Sequence, residues 1–425
     1  MKDIAEKSLF DIPGGWKTLL WILVLLGIGM FIAGLMTGGE ESVVRTWQAF
    51  LINTVFWGGI AHAGVIFAVI WQITDAKWGR AFKRLAEACA GFLPISFLMF
   101  MVVFFGSHVL YEWTHTPFLH HGEAVKQGWL NLPFFISRNV FWLLLIYGIS
   151  YWFIKTSIKP DIALARRLIG SDWGGKFADW VLEDYGEHET EVIRLEKLSR
   201  KIAPVLALIY AIGGSFLAWD FVMTLDQTWF STLFGVFVMI GNMHAFLGLM
   251  LVVAVTVRKK FGIEEYISIN RLHDLAKMTF AFSLLWTYMG YSQYIVIWYA
   301  DLPEETPYLI IRSMNAPWNT LFLVIILWVF VSVFIGLLPR TLCRIPNYIR
   351  LMGIWVMLGQ LLSVYIMVVP SLQHDGHYHI FMGLHELLIT LGFVGAFFLC
   401  YLAFLGKLPI LPISDKHLCR TWHGH

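Results

Sequence analysis

Charge is what this 425-residue sequence has least of. Asp, Glu, Lys and Arg make up 14% of it and apolar residues 58%, where a soluble globular domain carries roughly 25% charged residues. A water-soluble fold is not expected. Net charge is only +2 and no basic run is interleaved with aromatics, so nothing points to nucleic acid. Cysteine is scarce too: Cys89, Cys343, Cys400 and Cys419 form no C-x-x-C and no C-x-x-C-H. That spacing disfavours iron–sulfur clusters, structural zinc and covalent haem c in this chain. The first apolar run has no small-x-small cleavage site, so it reads as a retained helix rather than a signal peptide.

Long apolar runs are abundant. A membrane-spanning helix needs about 20 mostly apolar residues. Charged or Pro/Gly-rich breaks delimit ten such segments, near 18–37, 48–72, 88–111, 132–155, 203–223, 229–257, 275–299, 317–338, 347–369 and 380–406. They are continuous, unlike the short alternating strands of a transmembrane barrel. The expected fold class is an all-α integral membrane protein of about ten transmembrane helices, one polytopic domain over 1–425.

If successive helices alternate in direction, one side of the membrane keeps only Arg45, Lys126, Arg138 and Arg312 of the 31 Lys and Arg residues. The positive-inside rule then assigns both termini and the 156–202 loop to the cytoplasm. Apolar residues at helical spacing near the end of that loop suggest that it lies on the membrane surface or against a partner. FWGGIAHAG in segment 2 and VMIGNMHAF in segment 6 place a His-Ala pair at similar depth in helices that run in the same direction. This faint parallel repeat suggests two four-helix bundles, 48–223 (helices 2–5) and 229–369 (helices 6–9), with helices 1 and 10 peripheral.

Ionisable groups inside a span are costly and commonly mark a pathway, a pair or a ligand site. His62 and His244 fall near mid-membrane; His108, Asp220, His385 and Glu386 fall in the outer half, with Tyr291 and Gln293 beside them. Histidine suits a relay because its ordinary pKa of about 6.5 lets it take and give a proton near neutrality. A desolvated carboxylate approaches the same range, which makes Glu386 a partner for it. Adjacent helical residues diverge by about 100°, so only one of His385 and Glu386 is expected to face a given cavity. Asn53 and the other lone amides read more simply as interhelical glue. Asp220 serves equally well as a capping or solvated group.

Other uses of these residues stay open. His62 and His244 lie at similar depth and could ligate haem b across a bundle, although they belong to different suggested bundles. His374, His377 and His379 form H-x-x-H-x-H, a pattern open to zinc or copper, yet a wet, partner-facing loop accounts for it. Trp219, Trp229 and Phe230 could flank a headgroup site near Asp220, but aromatics at that depth ordinarily form an interfacial belt. The inner third offers Gln72, Ser96, Tyr147, Ser150 and Tyr151 and no carboxylate. An independent secondary transporter with parallel repeats is a rival reading, weakened by the lack of a matched pair of Gly/Pro-broken spans.

Three phrases narrow the field: WDFVMTLDQTWFSTLFG (219–235), HDLAKMTFAFSLLWTYMGYSQYIVIWYADLPEET (273–306) and GKLPILPISD (406–415). Together they resemble the ActF subunit of bacterial alternative complex III, an NrfD/PsrC-like membrane subunit of a quinol-oxidising respiratory assembly. The resemblance implies ten helices in two four-helix bundles and a location in the bacterial inner membrane. It also implies a cofactor-free subunit, proposed to conduct protons or to couple conformationally. Iron–sulfur clusters and haem c then belong to partner subunits. The other partners implied are an NrfD-like sister carrying the quinol site, a soluble cytochrome or terminal oxidase, and membrane lipids. The acidic exit Asp301, Glu304 and Glu305 is expected to face the outer compartment, with Pro303 ending its helix.

Overall fold

The computed structural model describes residues 2–116, 119–120, 123–124, 127–373, 379–415 and 418. The chain is an all-α integral membrane protein. Its long helices are α1 (Gly14–Met36), α2 (Glu40–Thr74), α3 (Arg80–Phe105), α4 (Leu132–Ile169), α5 (His188–Phe221), α6 (Phe234–Phe261), α7 (Ile269–Ala300), α8 (Trp318–Leu337), α9 (Pro346–Val368) and α10 (Leu384–Leu405). A two-residue ladder pairs Leu119–His120 with Glu123–Ala124 between α3 and α4. The H-x-x-H-x-H loop falls largely outside the described residues, as do Cys419 and the TWHGH tail.

Nine of these helices are long and apolar enough to cross a membrane. The exception is α7, which carries more polar residues. Asn270 at its start accepts a hydrogen bond from Arg344, just before α9, at 2.8 Å. Arg312, just beyond its end, donates to the Ile366 and Met367 carbonyls at the far end of α9, at 3.0 Å each. Thus the chain from the start of α7 to Arg312 reaches both ends of α9, alongside the nine apolar spans among the described residues.

The ends of the bundle sort by charge. At one end Trp173 donates to the Ala5 carbonyl at 3.2 Å, Lys260 lies over the Phe10 ring, and Gly406 touches the Phe10 backbone. The N-terminal segment, the α4–α5 connection and the exits of α6 and α10 therefore meet at a basic end. Arg45, Arg138 and Arg312 lie at the other end, called the outer end below.

Burial identifies the centre. In the most apolar stretch of α2, 94% of residues are buried, against 17% for α1. Apolar side chains on the outer faces, such as Leu25 and Phe141, are exposed, as suits helices that meet lipid or another apolar surface. Helix α2 packs on α3, α5 and α6; α4 pairs with α5; α6 packs on α7 and α9. The first and last helices lie against each other and not apart. Their backbones meet at Gly27 and Gly392, where a Cβ on Gly27 would come within 2.6 Å of the Gly392 Cα. Only glycine on both sides permits that approach.

Several expected boundaries move. Helix α2 begins at Glu40, and α3 begins at Arg80 with 3₁₀ and short α pieces before Leu93. The 156–202 stretch is no surface loop: α4 continues to Ile169, α5 starts at His188, and a short helix, Gly175–Leu182, lies between. It packs on the chain's own N-terminal segment. Charges had marked these stretches as solvent, but a charge paired inside the protein carries no such meaning. Helix α3 is irregular near the basic end, with 3₁₀ pieces, and α8 carries a π-helical turn at Ile326–Ser332.

Candidate functional site: buried polar clusters along the bundle

At the outer end, Asp220 is fully buried and clamped. Arg138 on α4 donates from Nε and Nη2 to its two carboxylate oxygens, both at 2.6 Å. Asn139 adds a bond of 2.8 Å, and the Arg138 guanidinium lies over the Trp129 ring at 4.2 Å. A bidentate pair of this kind is strong and geometrically specific. Asp220 is thus an ion-pair partner joining α4 to α5. Reading Arg138 as an outer-side charge missed this partnership, although an arginine within FISRNVFWLLL already asked for a buried counter-ion.

His385 and Glu386 both face α2. Arg45 donates to Glu386 Oε1 at 2.7 and 2.9 Å, and Thr46 bonds His385 Nε2 at 2.9 Å. The expectation that only one could face a given neighbour fails because these residues sit in the first turn of α10, where side chains can lean back. Glu386 also accepts from the Gly383 N–H. It is a paired cap residue, and the desolvated relay acid expected from sequence does not describe it. His108 lies beyond the end of α3, exposed, with its carbonyl 2.6 Å from His115 Nε2. Gln293 is buried and accepts from Ser231 at 3.1 Å, whereas Tyr291 is 60% exposed and belongs to no interior cluster. Trp229 is buried beneath Tyr308, the rings stacked at 3.7 Å, so it forms part of no lipid-facing belt.

The middle holds two histidines on neighbouring helices. His62 on α2 lies edge-on to Tyr147 and Tyr210, with ring centroids 4.9 and 5.9 Å away. Tyr147 in turn bonds Ser96 at 3.0 Å. His244 on α6 is fully buried, with Nδ1 at 2.8 Å from the Gln360 amide nitrogen, which leaves its ring proton on Nε2. Both Nε2 atoms lack a protein partner. A cavity of about 40 Å³ touches His62 and Asn242. A smaller one, about 10 Å³, touches Asn242 and Gln360. One water needs about 10–15 Å³ on this scale, so the spaces are water-sized. Asn242 stands between them, admitted by Gly59, whose Cβ would otherwise fall 2.3 Å from its amide.

At the basic end sequence reasoning missed most. Arg84, Glu87 and Asp161 are all buried. Arg84 pairs with Glu87 and donates to Asp161 Oδ2 at 2.7 Å, and Ser157 donates to Glu87 at 2.6 Å. The inner third therefore holds two carboxylates where none was expected. Asp161 also accepts from the Ser414 N–H at 2.8 Å, which ties the C-terminal exit to α4. About ten residues, or roughly 15 Å of helical rise, separate Ser157 from Tyr147. No group of three or more metal-ligating side chains occurs among the described residues.

No family model matches the chain, and no curated protein matches it significantly.

Proposed function

We propose that the chain is a non-redox integral membrane subunit of a quinol-oxidising complex of the alternative complex III type, and that it conducts protons or couples quinol oxidation to their movement. The resemblance of the 219–235, 273–306 and 406–415 phrases suggests the assembly. The observation that carries the proton role is the pair of buried, unpartnered Nε2 atoms on His62 and His244, with a water-sized space running from His62 to Asn242 and a smaller one from Asn242 to Gln360, which bonds His244 Nδ1. A neutral imidazole beside water can both accept and release a proton. The space beside the His62 ring is of a size for water. Asp220 and Glu386, each held by an arginine, fit structural supports of the relay better than its moving parts. Iron–sulfur clusters and haem c would reside in partner subunits, the quinol site in an NrfD-like sister, and the basic end would face the cytoplasm of a bacterial inner membrane.

Purification from native membranes tests the assembly: iron–sulfur and haem c polypeptides should co-purify in fixed ratio, and recovery of the chain alone, active in solute uptake, would favour a transporter. A cytoplasm-only reporter fused after His425 should be active. Activity of a periplasm-only reporter there would reverse the sidedness.

A further inference from the structure

A cavity of about 150 Å³ opens at the basic end between α2, α3, α4, α5 and the C-terminal exit. On the water scale it is roughly ten times what one molecule needs. Three donors on its wall have no partner. Lys83 is nine-tenths buried and makes no hydrogen bond or ion pair. Arg80 Nε and Ser199 Oγ are buried and unsatisfied. Buried donors are nearly always bonded, so two of them on one wall beside a lysine ask for an acceptor.

Among the side chains that line the cavity, cations outnumber carboxylates. Arg80, Lys83 and Arg84 line the space against Asp415 and Glu196, and Glu196 is already held by Arg200 at 2.9 Å. Glu87 and Asp161 do not line the cavity, and both are paired with Arg84. Arg80 is shared between Asp75 and Asp415 through its terminal nitrogens, which leaves Nε free. Lys83 lies in the field of Glu87 and Asp415, but no hydrogen bond or ion pair joins it to either. At the rim Ile193 is 53% exposed, an apolar edge along which an acyl chain could run. Basic pockets between transmembrane helices commonly take lipid head groups.

We propose that this cavity binds a phosphate group, supplied by an anionic phospholipid headgroup or by free phosphate, with Lys83 as its counter-ion and Arg80 Nε and Ser199 Oγ as further donors. The phosphate satisfies all three donors at once, and as a lipid headgroup it would fix the α3–α5 corner to the leaflet at that end.

The test is calorimetric titration of the purified full-length protein in detergent with inorganic phosphate and, separately, with dihexanoyl phosphatidylglycerol. One or both should bind saturably at one site. Loss of a charge-assisted bond should weaken it about tenfold or more in Lys83→Met. Lys83→Arg should stay within a few-fold of the parent, and Ser199→Ala, which keeps every charge, should weaken it by about threefold or more. Binding of phosphate with equal Lys83 dependence assigns the site to the free anion, and binding of the lipid alone assigns it to a headgroup. Binding of neither ligand, or equal binding by Lys83→Met and the parent at unchanged melting temperature, would overturn the proposal.

Discussion

Removing the carboxylate of Asp220 should destabilise the protein far more than it alters proton chemistry. Arg138 makes two bonds of 2.6 Å to this carboxylate, and the two side chains are 6% and 0% exposed. Asp220→Leu leaves a guanidinium buried without its counter-ion, and breaking a buried pair in that way costs about 3–5 kcal/mol. That equals roughly a hundredfold to several thousandfold in the unfolding constant, since about 1.4 kcal/mol is a factor of ten. Arg138 keeps one bond, to the Trp129 carbonyl at 2.7 Å, which argues for the lower part of the range. Replacing both partners with apolar residues of similar volume, Arg138→Met with Asp220→Leu, should recover most of the loss, because no unpaired charge remains. The assay is resistance of the detergent-purified protein to denaturation, followed by tryptophan fluorescence, for both single variants and the double. Equal stability of Asp220→Leu and the parent would refute the clamp. So would a double variant as weak as the sum of the singles.

Two further predictions rest on equally local geometry. Gly59→Val drives a side chain into the Asn242 amide, which a Cβ would already approach to 2.3 Å; overpacking of this kind should cost about 1–3 kcal/mol, measured by the same denaturation. Arg84→Met strands Glu87 and Asp161, both fully buried, and should cost about 3–5 kcal/mol, read as loss of monodisperse protein on size-exclusion chromatography while Lys155→Met, at a partly exposed position, is recovered normally.

How far the sequence could be read depended on what each residue was asked to report. Apolar length reports spans well, so α1, α6 and α9 fall within a few residues of their expected places. The segment 275–299 read as an apolar run like the others, yet α7 carries too many polar residues to qualify by hydropathy. Charge misled at the basic end, since Arg84, Glu87 and Asp161 read as loop residues until their mutual pairing is known. The pairs Arg138–Asp220 and Arg45–Glu386 join residues 82 and 341 positions apart. Periodicity carries no information about such partners. His62 and His244 were found because a histidine in an apolar helix is conspicuous by itself. The role of Asn242 was hidden, because it depends on the absence of a side chain at Gly59 on another helix.

The most direct test of the central claim is quinol-driven proton release from liposomes carrying the complex purified from native membranes, compared among the parent, His62→Phe, His244→Leu and Asn53→Ala. Asn53 bonds the Ala49 carbonyl and Thr390 and serves as interhelical glue. The account predicts assembled complexes throughout, with proton output per quinol reduced severalfold in both histidine variants and close to normal in Asn53→Ala. Normal output from both histidine variants in fully assembled complex would contradict it, and would leave the buried histidines as packing alone.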